Sequence, residues 1–389
     1  MRSKRRKTRN QDELTNYKLT AFVNEKTYSP IETSNVKKIA DAAIKILAEI
    51  GISDAPKELS DLVLEHGGKL EANRLIYPPN LIEKTIAEHQ RVVLLAGRVL
   101  ENDLQVGGNN VYAGTGGAAP NLQNPKTNQY VPSKLKDLYD AARLADRLPN
   151  ISFFSRSLVA GDIENPLDFD LSTAAASLAG TSKHVMVHAS HWSHVTEIAT
   201  LCYKIAGGEE SFRKRPFLSL HVNHAVPPLR FDPASIKVMI EAVKLGIPVH
   251  CNVFGQLGAS SPVTIAGSVS QTLAETLAGL VAVHILDPDA ASIAGPRPMI
   301  TDLRTGGMAG GAPEQLMATA AAVQVLRYWE IPCSVIAGAT DSKLIDFQSG
   351  YEKALTINSA AQTGKEFSET DCDIPKAISL KSKLFVAQN

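Results

Sequence analysis

From Ile151 to Thr363 the sequence alternates between short apolar runs bounded by Gly or Pro and longer amphipathic stretches. The apolar runs are Ile151–Leu158, His184–Ala189, Phe217–Val222, Val249–Phe254, Ala291–Ala294 and Cys333–Ala337. Uninterrupted apolar character over four to eight residues marks strands buried on both faces, as in a parallel sheet. The stretches Asp170–Ala179, Val195–Ile205, Pro233–Leu245, Ser268–Leu286, Pro313–Tyr328 and Asp346–Ala361 have helical periodicity. A further helix, Lys134–Arg147 with Ser133 as its cap, leads into the first strand. This alternation predicts an α/β fold of the TIM (β/α)8 type. A closed barrel needs eight units, and the count reaches six before the pattern breaks at Gly364. The expectation is an incomplete barrel with two open strand edges, marginally stable and prone to self-association into a homo-oligomer. The one apolar stretch left to cover the gap is Ala377–Ala387, where Ile378 and Leu380 alternate but Lys376, Lys381 and Lys383 interrupt.

Ahead of these units lies a different composition. Residues 1–30 are polar, with Arg2, Lys4, Arg5, Arg6, Lys7 and Arg9 crowded at the start, and read as a loosely ordered basic end. Residues 31–132 predict a helical cap and a small β layer without a barrel unit. Its helices are Asn35–Glu49, capped by Ser34 and stopped by Gly51, then Lys57–Glu65 and Pro79–His89. Its strands lie near Leu75–Tyr77, Val92–Ala96 and Val111–Tyr112. Residues 133–364 form the barrel region and 365–389 an atypical tail. The basic and acidic residues number 40 each, so no global field draws the chain to nucleic acid or a membrane. No apolar run of membrane-spanning length and no secretory signal is present. Cys202, Cys251, Cys333 and Cys372 are scattered, as reduced thiols of a cytoplasmic protein are.

Barrel chemistry sits where strands end and the following loops begin. Those positions hold Arg156 and Ser157, His188 and His191, His221, Asn223 and His224, His250, Asn252 and Gln256, Arg297, Asp302 and Arg304, and Thr340, Asp341 and Lys343. With His184, six of the ten histidines fall at or near these ends. His188-Ala-Ser-His191 and His221-Val-Asn-His224 resemble paired metal ligands, but neither spacing puts both rings on one strand face, so no metal is expected. A metal-dependent barrel hydrolase is retained as a minor alternative. Cys251 alternates with His250 and Asn252 and so faces away from them. Gly306–Gly311 precedes a helix at Pro313, whose N-terminus could hold an anion.

Taken together, the chain resembles the trimethylamine methyltransferase (MttB) superfamily over roughly Val36 to Gly364. The segments that carry the resemblance are Gly255-Gln-Leu-Gly-Ala-Ser-Ser-Pro-Val-Thr-Ile-Ala-Gly267 with Gln271-Thr-Leu-Ala-Glu-Thr-Leu-Ala-Gly279, then Pro228-Leu-Arg-Phe-Asp232 and Gly311-Ala-Pro-Glu314. Thr340-Asp-Ser-Lys343 and Asp346-x-Gln348-x-Gly350-Tyr-Glu352 are equally typical. Tyr112-Ala-Gly-Thr-Gly-Gly117 and Leu138-Tyr-Asp-Ala-Ala-Arg-Leu-Ala-Asp146 agree with the family's front half. The resemblance implies a TIM barrel that moves a methyl group from a small methylated amine to the cobalt of a partner corrinoid protein. The corrinoid (cobalamin) is then presented by that partner, and no cofactor is bound tightly. The founding enzymes carry pyrrolysine; this chain has only standard residues and so resembles the branch acting on quaternary amines such as glycine betaine.

A quaternary nitrogen leaves as a neutral tertiary amine and needs no general acid, so the protein's task is positioning. A cation favours aromatic faces, for which Phe154, Trp192, Phe254 and Tyr351 are candidates. A carboxylate favours a donor, for which His221, His250, Arg297 or Arg304 would serve. His221, His250, Asn252 and Gln256 are expected to line the pocket, His250 and Asn252 sharing a face by alternation. The rival expectation is an inactive, truncated barrel that keeps binding surfaces alone.

Overall fold

A computed structural model of the protein describes residues 28–363, apart from 109, 125, 126 and 128, and the backbone of 376–380. The basic run Arg2–Arg9, Cys372 and the interrupting Lys381 and Lys383 lie outside the described residues.

Eight parallel strands close into a barrel. In chain order they are β1 (Val111–Gly114), β2 (Phe153–Ser155), β3 (His184–Val187), β4 (Leu218–Val222), β5 (Val249–Val253), β6 (Ser292–Pro296), β7 (Cys333–Ala337) and β8 (Lys376–Leu380). Seven crossover helices connect them: α1 (Leu135–Arg147), α2 (Pro166–Gly180), α3 (Trp192–Ala206), α4 (Pro233–Lys244), α5 (Ile265–Leu286), α6 (Pro313–Tyr328) and α7 (Phe347–Gln362). The barrel class agrees with the sequence; the count of six strands does not. The segment noted near Val111 is the first barrel strand, although the front region was expected to hold none. The alternating residues Ile378 and Leu380 belong to the last, which pairs with β7 from Cys333↔Lys376 to Ala337↔Leu380 and with β1 from Lys376↔Val111 to Ser379↔Gly114. The two edges expected to stay open are therefore paired to each other through β8, and the reason given for self-association falls away.

Two caps also differ. The first helix spans Thr33–Lys45 with Glu32 at its N-cap, continues as a π turn over Ile46–Ile50 and stops at Gly51, whose φ of 68° only glycine adopts without strain. Ser133 does not cap α1. Its hydroxyl donates to the carbonyls of Ala119 and Val159, while Lys134 and Asp137 form the cap.

Helix α5 is 22 residues long and apolar enough to cross a membrane by composition, but 89% of that stretch is buried inside the protein. Every residue from Ser268 to Val283 is buried. The barrel takes one side, and the helices Thr33–Lys45, Lys57–Glu65 and Pro79–Glu88 cover the other. The N-terminal region has a second role at the barrel floor. An antiparallel hairpin, Val92–Leu95 with Leu104–Gly107, presents Val93, Leu95, Leu104 and Val106 to the lumen residues Tyr112, Phe153, Met186 and Ile293. All eight are almost fully buried, so this end of the lumen is sealed. Gly114 is required there, because a Cβ would meet the Phe153 ring. Leu104 is 0% exposed, and Leu104→Ala is expected to lower unfolding free energy by about 2–5 kcal/mol in urea titration, as truncation of a core leucine does.

Candidate active site

Alternation along each strand sorts the lumen from the helix layer. On β5, Val249 and Cys251 pack with the helices while His250 and Asn252 face the lumen. The Cys251 thiol, buried against the helices, is pushed far up in pKa. On β4, Ser219 and His221 face inward, and the register sets His221 beside His250 with ring centroids 5.0 Å apart.

The inward groups form two hydrogen-bonded sets. In the lower one the Ala96 carbonyl can only accept, so His184 donates to it from Nδ1 at 2.8 Å. His184 Nε2 then accepts from the Ser219 hydroxyl at 2.8 Å, and Ser219 Oγ accepts from His250 Nε2 at 3.0 Å. In the upper set the Asn252 amide donates to His221 Nδ1 at 2.9 Å, which leaves Nε2–H to donate to Ser155 Oγ at 3.1 Å. Burial holds His221 and His250 well below the usual histidine range, reinforced for His221 by His250 and Arg297 and for His250 by His184 and Arg297. Both rings are neutral at physiological pH.

Above this layer, at the C-terminal ends of the strands, is a cavity of about 170 Å3. Its lining includes Ser155, Arg156, His188, His221, Asn252, Phe254 and Arg297, with Gly116 and Gly117 from the loop after β1. Arg297 is 4% exposed. It donates from Nη1 to the Gly295 carbonyl at 2.8 Å and lies 5.4 Å from the Phe254 ring centroid. Burial lowers its pKa to about 10, so it stays charged. Arg156 comes from β2, on the far side of the ring. Its guanidinium sits 5.8 Å over Phe169 and makes no hydrogen bond among the described residues. Burial lowers its pKa, with Asp170 acting against the shift. The Asp170 oxygen Oδ2 is already taken by Ser190 and His194. Among the described residues no Asp or Glu lines the cavity. The site thus presents two guanidiniums, neutral imidazoles and amides, and a single aromatic face that Arg297 already approaches. Chemically it suits an anionic group.

The structure brings His221, Asn252 and Phe254 into this cavity and places His250 in the lumen directly beneath, buried rather than lining. Gln256 lies outside it: Gln256–Leu257 pairs with Met299–Ile300 as a short outer ladder, and Gln256 is exposed. Tyr351 is 62% exposed on α7, Trp192 stands at the exposed start of α3, and Phe154 packs outward against α1. Arg304 is exposed and paired with Asp302 at 3.2 Å. Five expected contributors therefore sit elsewhere: four lie off the barrel strands, where alternation fixes no direction, and Phe154 lies on β2 but points outward. Arg156 stood among the strand ends; what set it apart, a guanidinium at the cavity with no hydrogen-bonded carboxylate, is a tertiary fact. The two histidine pairs are also separated. His191 caps α3, and His224 donates to the Glu275 carbonyl at 2.8 Å. Among the described residues no group of three or more His, Cys, Asp or Glu could hold a metal ion.

The anion expected at the start of α6 is the protein's own. Asp341 accepts from the amides of Gly310 and Gly311 at 2.9 and 3.2 Å. Glu352 in turn accepts from Thr340 Oγ1 and from the Asp341 amide.

The model of the family described as trimethylamine methyltransferase (MTTB) matches residues 1–369. The chain belongs to the trimethylamine methyltransferase family. Trimethylamine methyltransferase MttB of Desulfitobacterium hafniense (strain DSM 10664 / DCB-2) is 26% identical over 340 residues, covering 87% of this chain and 66% of that one. Glycine betaine methyltransferase of D. hafniense (strain Y51) is 26% identical over 345 residues, covering 87% and 71%. MttB of Methanosarcina barkeri (strain Fusaro / DSM 804) is 28% identical, covering 85% and 68%. The solved structure of the M. barkeri monomethylamine methyltransferase (MtmB) shares the fold, with a TM-score of 0.56 at 14% identity over 92% of this chain and 70% of that one. The chain thus spans about two thirds of the length of these family relatives. In this family member the segments Thr340–Lys343 and Asp346–Glu352 build the Asp341–Glu352 scaffold that joins two loops at the barrel mouth. The segment Gln271–Gly279 supplies Glu275, which accepts from the Leu229 amide at 2.6 Å and anchors the loop holding Pro228–Asp232.

The neutral lumen histidines make stability pH-dependent. His184 has its pKa lowered to about 4 by burial, against 6.5 unfolded. A depressed folded pKa means the unfolded chain binds the extra proton, so stability is full above 6.5 and lost as pH falls towards 4. That span corresponds to about 3 kcal/mol. Denaturant midpoints should fall across this window, and His184→Asn should flatten the slope while lowering stability at pH 8.

Proposed function

We propose that this chain transfers a methyl group from a quaternary amine that also carries a carboxylate to the cobalt of a corrinoid held by a separate protein. Family membership supports the reaction class. The observation that carries the substrate reading is the pair of guanidiniums, Arg156 and Arg297, facing one cavity that no acid among the described residues lines, with neither guanidinium hydrogen-bonded to a carboxylate. A buried charge without its counter-ion is costly, and a ligand carboxylate supplies one. A plain methylammonium would meet two like charges and one occupied aromatic face. A betaine-type zwitterion sets its carboxylate on the arginines and its methyl groups towards the mouth.

The chemistry of the lining fits such a donor. When the methyl carbon passes to the acceptor cobalt, the C–N bond breaks and its electron pair stays on nitrogen, which leaves as a neutral tertiary amine. No proton moves, and His188, His221 and His250, each with a pKa lowered by burial, need not act as acids. Their part is to hold Ser155, Asn252 and the cavity wall in one arrangement. A cavity of about 170 Å3 admits a small amine but not a corrin ring, so the acceptor meets the methyl group at the mouth.

The test is demethylation of glycine betaine, carnitine and proline betaine beside trimethylamine, with the cognate corrinoid protein reduced. Turnover is expected for carboxylate-bearing donors. A preference for trimethylamine would refute the substrate reading, and no turnover with any donor would refute the reaction. Arg297→Gln should raise KM for carboxylated donors roughly ten- to a hundredfold, as losing a charged hydrogen bond of about 1.5–3 kcal/mol does.

A further inference from the structure

Seven large apolar side chains in the described structure are at least 60% exposed, and six of them follow three adjacent strands, β5, β6 and β7, on one arc of the barrel mouth. Val263 lies in the loop after β5, Leu303 in the loop after β6, Leu344 and Ile345 in the loop after β7, and Phe347 and Tyr351 on the first turns of α7. Phe347 is 98% exposed and Ile345 74%. Scattered exposed apolar residues are ordinary, but a cluster is not. These loops are also fixed to one another. Asp341 ties the loop after β7 to Gly310 and Gly311 of the loop after β6. Leu303 seats directly over Gly258, where even a Cβ would crowd it. These contacts hold the three loops together in the unbound chain, which lowers the entropy lost on association.

We infer that this arc is the docking surface for the corrinoid-carrying protein; the inference rests on the function proposed above. The cavity opens at the same end of the barrel, the opposite end is sealed by the hairpin, and the cavity is too small to admit a corrin ring. A protein delivering cobalt to a methyl group there must cover the rim. The loops after β5 and β6 that carry Val263 and Leu303 follow directly on the cavity residues Phe254 and Arg297. An exposed aromatic flanked by aliphatic side chains is the composition of an interface centre, where a few residues carry most of the binding free energy.

The test uses the full chain, its corrinoid protein and free cob(I)alamin as a second methyl acceptor. The variants are Phe347→Ser with Ile345→Ser and, separately, Leu303→Ser, which touches no helix. Binding of the corrinoid protein is measured by calorimetry, and methyl transfer is followed to each acceptor. The expected result is binding weakened about tenfold or more, with transfer to free cob(I)alamin unchanged. That unchanged transfer also certifies folding. Unchanged partner binding would overturn the inference while leaving the function intact. So would a variant that only converts an oligomer to a monomer, since a second copy of the chain would then own the surface. Wild-type protein that methylates neither acceptor would overturn the function and this inference with it.

Discussion

Closure of the parallel sheet is the constraint on which everything else depends. A parallel strand left at an edge exposes a full row of amides and carbonyls, and the open-sheet count suggested two such edges. The five residues of β8 satisfy both, pairing with β7 on one side and β1 on the other. The ring also makes the site. Arg156 follows β2 and Arg297 follows β6, on opposite sides of the barrel. In an open sheet they would stand on one surface with three strands between them. In a closed barrel they face each other across the lumen.

The lumen is graded from apolar to polar along its axis. Tyr112, Phe153, Met186 and Ile293 pack on the hairpin at the floor. His184, Ser219 and His250 come next, each hydroxyl and ring bonded to its neighbour. His221, Asn252 and Ser155 follow, and only the top layer carries charge. The middle layers matter electrostatically because they are neutral. They let the field of the two guanidiniums reach a cavity that no carboxylate among the described residues lines, and in a low-dielectric interior that field is strong.

Much of this was legible in the sequence, for a definable reason. Strands β2 to β7 announce themselves because three to five mostly buried residues in a row leave a short, dominantly apolar run. β1 is four residues in a glycine-rich setting, and β8 reads Lys-Ala-Ile-Ser-Leu, which resembles an exposed edge. Their membership in the barrel is set by partners distant in sequence, and no local pattern records that. The same division holds at the site. His221 followed from its place at a strand end, and Asn252 from two-residue alternation with His250. Tyr351 and Arg304 did not, since nothing in the sequence says which way a loop turns. The start of α6 looked like an anion site because the glycines are local, while Asp341, which fills it, lies about thirty residues further on.

The hairpin under the barrel has a kinetic consequence. With Leu104 and its neighbours sealing the floor, the cavity has one door. For a transfer in which a second protein covers that door, the donor must enter first. The demethylated amine then stays beneath its acceptor until the two proteins part. Such an enzyme follows an obligatory order, with separation of the proteins controlling product escape.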